Sequence, residues 1–244
     1  MILAAGRGER MRPLTDACPK PLLSVGGEPL IVRHLRRLAA AGFRDVAINA
    51  SWLAERLVEA LGDGRAWGVR IRWAFERPAP LETAGGIAAA LPLLGEGPFL
   101  AVSGDVYTDY DFARAAGIAQ RLRAGGALAH LVMVPNPAFH PRGDYALAAD
   151  GSIEAAPPGE ARLTFGNVGV YDPALFADVP RGAPMKLAVL FEQAIAARRA
   201  IGERYDGRWH NLGTPSQLAG LDARLRAAGP PPTHATSTAR PDRT

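Results

Sequence analysis

The sequence predicts an α/β fold, a single Rossmann-like three-layer domain whose central sheet is mixed and mainly parallel. Three observations carry that expectation. Strand-like and helix-like apolar patterns alternate through the first third of the chain, and such alternation favours parallel strands covered by helices on both faces. The continuous apolar run Phe99 to Ser103 stops abruptly at Gly104-Asp105, as a strand buried on both faces does. A length of 244 residues, 48% hydrophobic and 21% charged, suits one domain with a sizeable core.

The elements follow in order. Met1 to Ala5 is a short apolar strand that opens directly onto a Gly/Arg-rich loop. Leu30, Ile31, Leu35, Leu38 and Ala39 recur at helical spacing, and Gly42 follows as a stop. A strand is expected at Val46 to Asn49, a helix from Leu53 to Leu61, a strand at Val69 to Ala74 and a helix from Gly86 to Leu94. After the Phe99 strand come a helix near Phe112 to Arg123 and a strand at Ala129 to Val134. Shorter strands around Tyr145 to Ala148 and Asn167 to Tyr171 make the second half mixed. Lys186 to Ala197 has helical spacing, and Ser216 is the expected cap of a last helix. The domain is expected to span residues 1–228. From residue 229 onward Pro, Thr, Ala and Arg dominate without periodicity, so 229–244 is expected to be a disordered tail.

Composition excludes several classes. The net charge is +4, but the basic residues are scattered, and several sit in loops suited to phosphate, so no nucleic-acid partner is expected. A single cysteine, Cys18, rules out an intrachain disulfide framework and a Cys-rich metal site, and a reducing cytoplasm is the expected compartment. No apolar run approaches a membrane span, so no membrane partner is expected either. Oligomeric state is left open.

The most informative segment is Gly6 to Pro21, GRGERMRPLTDACPKP. Gly6 and Gly8 let backbone N–H groups approach phosphate oxygens, while Arg7, Arg10, Arg12 and Lys20 supply positive charge. A triphosphate suits such a loop, although Arg12 fits a solvated surface equally well. Met11 stands where a dinucleotide fingerprint needs its third glycine, and the Gly-Lys-Ser/Thr ending of a P-loop is absent. Asp105, at the tip of the strongest strand, is a candidate Mg²⁺ ligand, since a carboxylate fixed at a sheet's ligand-binding edge can hold a divalent cation against phosphate oxygens. Asp111 reads more economically as a cap for the helix at Phe112. In the loop from Asn136 to Tyr145, Asp144 can accept from sugar hydroxyls, and Asn167 can both donate and accept. His140 reads as a solvent-facing loop residue.

The string Gly6, Gly8, Arg10, Pro13, Leu14, Thr15, Pro19, Lys20 and Pro21 resembles the signature of the sugar-1-phosphate nucleotidylyltransferase family. The resemblance runs over residues 1 to 225. It implies that Gly6, Arg7, Gly8 and Lys20 hold the triphosphate and that Arg10 assists the departing pyrophosphate. It implies that Glu82, Thr83 and Gly85 contact the nucleobase and that Asp105 binds Mg²⁺. A second metal ligand belongs in the block Trp209-His210-Asn211-Leu212-Gly213-Thr214-Pro215, where the family has an aspartate and this chain has Asn211. The blocks Ile48 to Leu53, Pro80 to Thr83, Tyr107 to Phe112 and Asn136 to Asp144 are similar to a branch of the family that uses UTP and a sugar 1-phosphate in cell-wall recycling. The alternatives are transfer to another sugar phosphate, such as mannose or glucose 1-phosphate, and a nucleotide-sugar-binding protein whose catalysis Asn211 has weakened.

Overall fold

The computed structural model describes residues 1–156 and 161–228. The tail expected from residue 229 lies outside the described residues. Along the chain, Ile2–Leu3 forms β1, Leu14–Ala17 α1, Ser24–Val25 β2, Glu28–Pro29 β3, Leu30–Ala40 α2, Asp45–Ala50 β4, Ala54–Leu61 α3, Arg70–Phe75 β5 and Glu82–Leu94 α4. Phe99–Ser103 is β6, Val106–Thr108 β7, Ala115–Gly125 α5, Ala129–Val134 β8, Ala146–Leu147 β9, Ile153–Glu154 β10 and Thr164–Tyr171 β11. Leu187–Ala196 is α6, Ala200–Arg204 β12, Trp209–Asn211 β13 and Pro215–Ala227 α7.

Seven strands form one sheet in the order β12-β8-β11-β6-β1-β4-β5. β1 pairs in parallel with β4 and β6, β4 with β5, and β8 with β12. β11 runs antiparallel to both β6 and β8, so the sheet is mixed and mainly parallel. From β1 the chain builds outward through β4 to β5 and then returns to the other side of β1 with β6. Open α/β sheets bind ligands outside the carboxyl ends of the strands at such a reversal. The Gly-rich loop leaves β1 and Asp105 follows β6, so the topology puts both at that crevice.

Alternate residues of each strand supply opposite faces. Leu100 and Val102 pack with Ile31 and Leu35 of α2, Leu57 of α3 and Ile118 of α5. Phe99 and Ala101 pack on the other side with Ile87 of α4 and Leu190 and Phe191 of α6. Helices therefore cover both faces, giving the three layers. Ile31, Leu35 and Leu38 of α2 are buried, and each such side chain stabilises by about 1.5–3 kcal/mol relative to exposure. A third, smaller core of Val25, Leu30, Tyr107, Leu212 and Leu221 fixes α7 and the β2–β3 hairpin beside the crevice.

The sequence pattern does not predict the edge strand β12 or the short strands β2, β3, β7 and β10, and local details differ from expectation in three further places. α4 begins at Glu82 rather than Gly86, so Gly85 and Gly86 lie inside the helix. Glycine there reads as a breaker, yet close packing demands it: a Cβ on Gly85 would lie 2.4 Å from the Ala183 carbonyl oxygen. The cap of α7 is Thr214, whose hydroxyl accepts from the Gln217 N–H at 3.3 Å ahead of Pro215, and not Ser216. Asn167 sits inside β11, at an irregularity in its pairing with β8, rather than near the strand's start.

Candidate active site

The loop after β1 turns at Gly8, whose φ of 70° lies in the left-handed region where glycine carries no Cβ penalty. A Cβ there would also come within 3.1–3.3 Å of the Thr15 and Lys20 side chains. Buried Thr15 closes the loop by donating from Oγ1 to the Gly8 carbonyl at 2.9 Å, and Trp52 Nε1 donates to the Thr15 carbonyl at 2.9 Å. The Arg7 guanidinium lies over the Trp52 ring, 4.1 Å from its centroid, in a cation–π arrangement. The loop is thus pinned from α1 and from the segment after β4.

Beneath it is a cleft of about 340 Å³ lined by Gly6, Arg7, Gly8, Lys20, Glu82, Thr83 and Asp105. On its floor Lys20 Nζ forms an ion pair with Asp105 Oδ2, with side chains only 12% and 24% exposed. An ammonium has three donors, so the contact with Asp105 leaves two for phosphate oxygens. Arg10 does not line this cleft. Its guanidinium packs against Gly213, where a Cβ would meet it at 3.2 Å. Arg12 pairs on the surface with Asp16 at 2.7 Å.

A buried polar network supports the same wall, and the sequence reading assigned neither of its side chains. Asn49 Oδ1 accepts from the Ala4 N–H at 2.7 Å, and its Nδ2 donates to Glu76 Oε1 at 2.6 Å. Glu76 Oε2 accepts from the Leu81 N–H at 2.7 Å. Asn49, next to last in β4, and Glu76, just after β5, line the cleft and are 4% and 3% exposed. The network ties β1, β4, β5 and the start of α4 together. Its one visible signal is polarity where apolar strands terminate. Gly86 is required here, because a Cβ would lie 2.2 Å from Glu76 Oε1. Gly85, expected from the resemblance to contact the nucleobase, is buried inside α4 against Ala183 and lines neither this cleft nor the one beside it.

β7 and β13 pair as an antiparallel ribbon with Asn211 opposite Val106, and the Leu212 N–H donates to the Asp105 carbonyl at 3.0 Å. The ribbon brings Asn211 beside Asp105 across a hundred residues of chain. Asn211 Oδ1 is shielded from solvent and has no hydrogen-bond partner among the described residues. A buried amide oxygen left unpaired costs about 1–3 kcal/mol, which an electropositive ligand would recover. Among the described residues no group of three or more His, Cys, Asp or Glu side chains could hold a metal. Asp109 is engaged elsewhere, by Tyr205 and the Arg208 N–H, and Asp111 caps the turn at Phe112 as expected.

A second cleft of about 410 Å³ adjoins the first and shares Glu82 and Thr83 with it. Its other walls include His140, Asp144, Tyr145, Asn167, Lys186, Trp209 and Asn211. Asp144 accepts from the Phe165 N–H at 2.8 Å and pairs with His140 Nε2 at 2.9 Å, so His140 has a partner that its sequence neighbourhood does not reveal. Burial, with Asp144 nearby, pushes the Tyr145 phenol up to about 12. Glu82 and Asn167 are two of only four non-glycine residues with positive φ among the described residues, at 58° and 55°. Strain of this kind concentrates at functional sites. His210 points away from this cleft, as β-strand alternation predicts for the neighbour of Trp209 and Asn211.

A phosphate-suited loop, a Lys–Asp pair at the reversal of a mainly parallel sheet and a second polar cleft in continuity define a nucleotide-using α/β enzyme. Comparison with known proteins agrees: the family model described as Nucleotidyl transferase matches residues 1–140. The chain is 49% identical to the N-acetylmuramate alpha-1-phosphate uridylyltransferase of Neisseria meningitidis serogroup B, covering 89% of this chain and 94% of the relative. A protein of that name from Caulobacter vibrioides is 37% identical, over 93% and 97% of the two chains. A mannose-1-phosphate guanyltransferase of Schizosaccharomyces pombe is 37% identical, but over only 52% of this chain and 36% of its own. The crystal structure of HddC from Yersinia pseudotuberculosis, complexed with GMP-PN, superposes with a TM-score of 0.72 at 17% identity, over 92% and 97% of the chains, which establishes the shared fold. The chain belongs to the nucleotidyl transferase family.

Proposed function

We propose that the protein transfers a uridylyl group from UTP to N-acetylmuramate 1-phosphate, giving UDP-N-acetylmuramate and pyrophosphate, and so supplies an activated cell-wall sugar in the cytoplasm. The observation that carries the reading is the pair of clefts meeting at Glu82 and Thr83, with Lys20 and Asp105 at the floor of the first. A nucleotide in one and a sugar phosphate in the other would bring the two phosphates together there. The identity to the Neisseria relative over nearly all of both chains supports this choice of substrates.

In this reading residues 1–228 form the transferase domain. Gly6, Arg7 and Gly8 cradle the triphosphate, and Lys20 supplies two donors to its oxygens. Arg10 packs against Gly213, between β13 and α7 and outside the cleft lining, and assists the departing pyrophosphate from there. Glu82 and Thr83, where the two clefts adjoin, contact the nucleobase, and Asp144 and Asn167 bond sugar hydroxyls. A phosphate oxygen of the sugar forms the new bond to the α-phosphorus as the bond from that phosphorus to the bridging β-phosphate oxygen breaks, and pyrophosphate leaves with the electron pair. Holding the two in line in a preorganised, charged site is the protein's main contribution. The orphaned Asn211 Oδ1 beside Asp105 fits a Mg²⁺ held by one carboxylate and one amide oxygen, with phosphates as further ligands. When bound, Mg²⁺ would neutralise phosphate charge.

The guanyltransferase relatives favour GTP with mannose 1-phosphate as a second reading. Pyrophosphate release measured over a panel of triphosphates and sugar phosphates decides between them. UTP with N-acetylmuramate 1-phosphate should give the highest kcat/KM, and equal or faster turnover of GTP with mannose 1-phosphate would refute the assignment.

A further inference from the structure

The chain carries 28 permanently cationic side chains, of which 26 are arginine and only two, Lys20 and Lys186, are lysine. Three of these cations line the two joined clefts: Arg7 and Lys20 in the first and Lys186 in the second. Two lysines scattered at random over the cationic positions would both fall among those three about one time in a hundred. Arginine and lysine are not interchangeable where a compact, freely rotating ammonium rather than a planar fork must meet a ligand. A chain otherwise built with arginine has lysine in each of its two adjoining clefts.

Lys20 already has a partner in Asp105. Lys186 has none: among the described residues no carboxylate lies within 4 Å of its Nζ. Its position is also unfavourable for folding alone. It is the N-cap of α6, makes no side-chain capping bond, and sets a cation at the positive end of the helix dipole, where Ser, Thr, Asp or Asn would serve better. A residue that breaks a local rule at a cleft wall points to a ligand-directed role. The other charged groups facing the cleft are Glu82, Asp144 and His140, and Asp144 is occupied by His140 and the Phe165 N–H. Lys186 is therefore the uncommitted cation of the acceptor cleft.

We infer that Lys186 is a specificity-determining residue that binds the lactyl carboxylate of the acceptor sugar, the group that separates N-acetylmuramate 1-phosphate from N-acetylglucosamine 1-phosphate. This rests on the proposed acceptor. The acceptor's phosphate must lie toward Lys20 and Asp105, so a second anionic group on the sugar has Lys186 as its counter-charge in the second cleft. Lys186 selects for acidic sugars, and neutral sugars of the same shape gain nothing from it.

The test is kcat/KM for both acceptors at saturating UTP and Mg²⁺, in the wild type, Lys186→Gln and Lys186→Arg. The ratio of N-acetylmuramate to N-acetylglucosamine phosphate turnover should fall by about tenfold or more in Lys186→Gln, mainly through KM, as expected for loss of one charge-assisted contact. Lys186→Arg should restore part of the ratio. A wild-type ratio well above one that survives Lys186→Gln overturns the inference and leaves the proposed acceptor standing. An equal loss on both acceptors also overturns it, and assigns Lys186 to the phosphate both share. A wild-type enzyme indifferent to the carboxylate sinks the proposed acceptor and this role together.

Discussion

Replacing Gly86 by alanine tests how tightly the fold and the site are joined. In an isolated helix the change stabilises by about 1 kcal/mol, because alanine is the better helix former. Here the new Cβ would sit 2.2 Å from Glu76 Oε1 and 2.9 Å from Asn49 Nδ2, so the carboxylate has to move by roughly an ångström, given that carbon and oxygen rarely approach within about 3.3 Å. That movement breaks or stretches the bonds from Asn49 Nδ2 and the Leu81 N–H, both buried and both made to a carboxylate. Hydrogen bonds to charged groups contribute about 1.5–3 kcal/mol each, so the expected net loss is about 2–5 kcal/mol after the helix gain. For a domain of this size that lowers Tm by about 5–15 °C. Gly117, in the exposed face of α5 with nothing within 4 Å of a Cβ, is the matched control, and Gly117→Ala should raise stability by up to about 1 kcal/mol. Urea unfolding and thermal melts of both variants give the answer, and KM for the triphosphate should also rise in Gly86→Ala, since Glu76 and Asn49 line its cleft. A Gly86→Ala protein as stable as the wild type would refute the argument from close packing.

Acid should unfold the protein early. Burial lowers the His34 and His130 imidazoles to about 4, so below pH 6.5 the unfolded chain takes up protons that the folded one refuses. Stability present above pH 6.5 is lost as pH falls toward 4, by up to about 3 kcal/mol per histidine, and urea midpoints between pH 7.5 and 4.5 should flatten in His130→Gln. Lys20→Ala should cut kcat by about a hundredfold or more with an unchanged circular dichroism spectrum, and Arg10→Ala, placed at Gly213 instead of on the cleft floor, should cost less. Unchanged kinetics in both would show that this loop is not the phosphate cradle. Asn211→Asp should lower the Mg²⁺ concentration needed for half-maximal rate, whereas Asp105→Asn should nearly abolish turnover; an unaltered Mg²⁺ titration for Asn211→Asp removes that residue from the metal site. Glu82→Gly relieves a positive φ and should stabilise by about 1 kcal/mol while lowering activity, and a less stable variant would contradict the strain reading.

Local pattern carried much of this protein. Apolar periodicity placed six of the seven strands of the main sheet and most of the helices, since burying one face imposes its spacing on the sequence, but it did not mark the edge strand β12 or the short strands β2, β3, β7 and β10. The Gly6–Pro21 string and the strand tip at Asp105 contribute residues to one cleft, and they were legible because glycine freedom and clustered charge are properties of contiguous residues. Asn211 became a candidate only through resemblance, because no local feature of an extended Trp-His-Asn segment says what lies opposite it; that was decided when β13 paired with β7. The start of α4 was misread because glycine inside a helix is locally costly, and only the approach of Ala183 and Glu76 explains it. The bond from Asn49 to Glu76, the pairing of His140 with Asp144, the irregularity that places Asn167 at the second cleft and the placing of Lys20 and Lys186 in two adjoining clefts were likewise settled by tertiary structure. Sequence alone determined which segments bury an apolar face and which loops can approach phosphate, because those depend on neighbours along the chain. Which polar groups meet depends on neighbours in space, and a buried charge or amide finds its partner only after the sheet has ordered its strands.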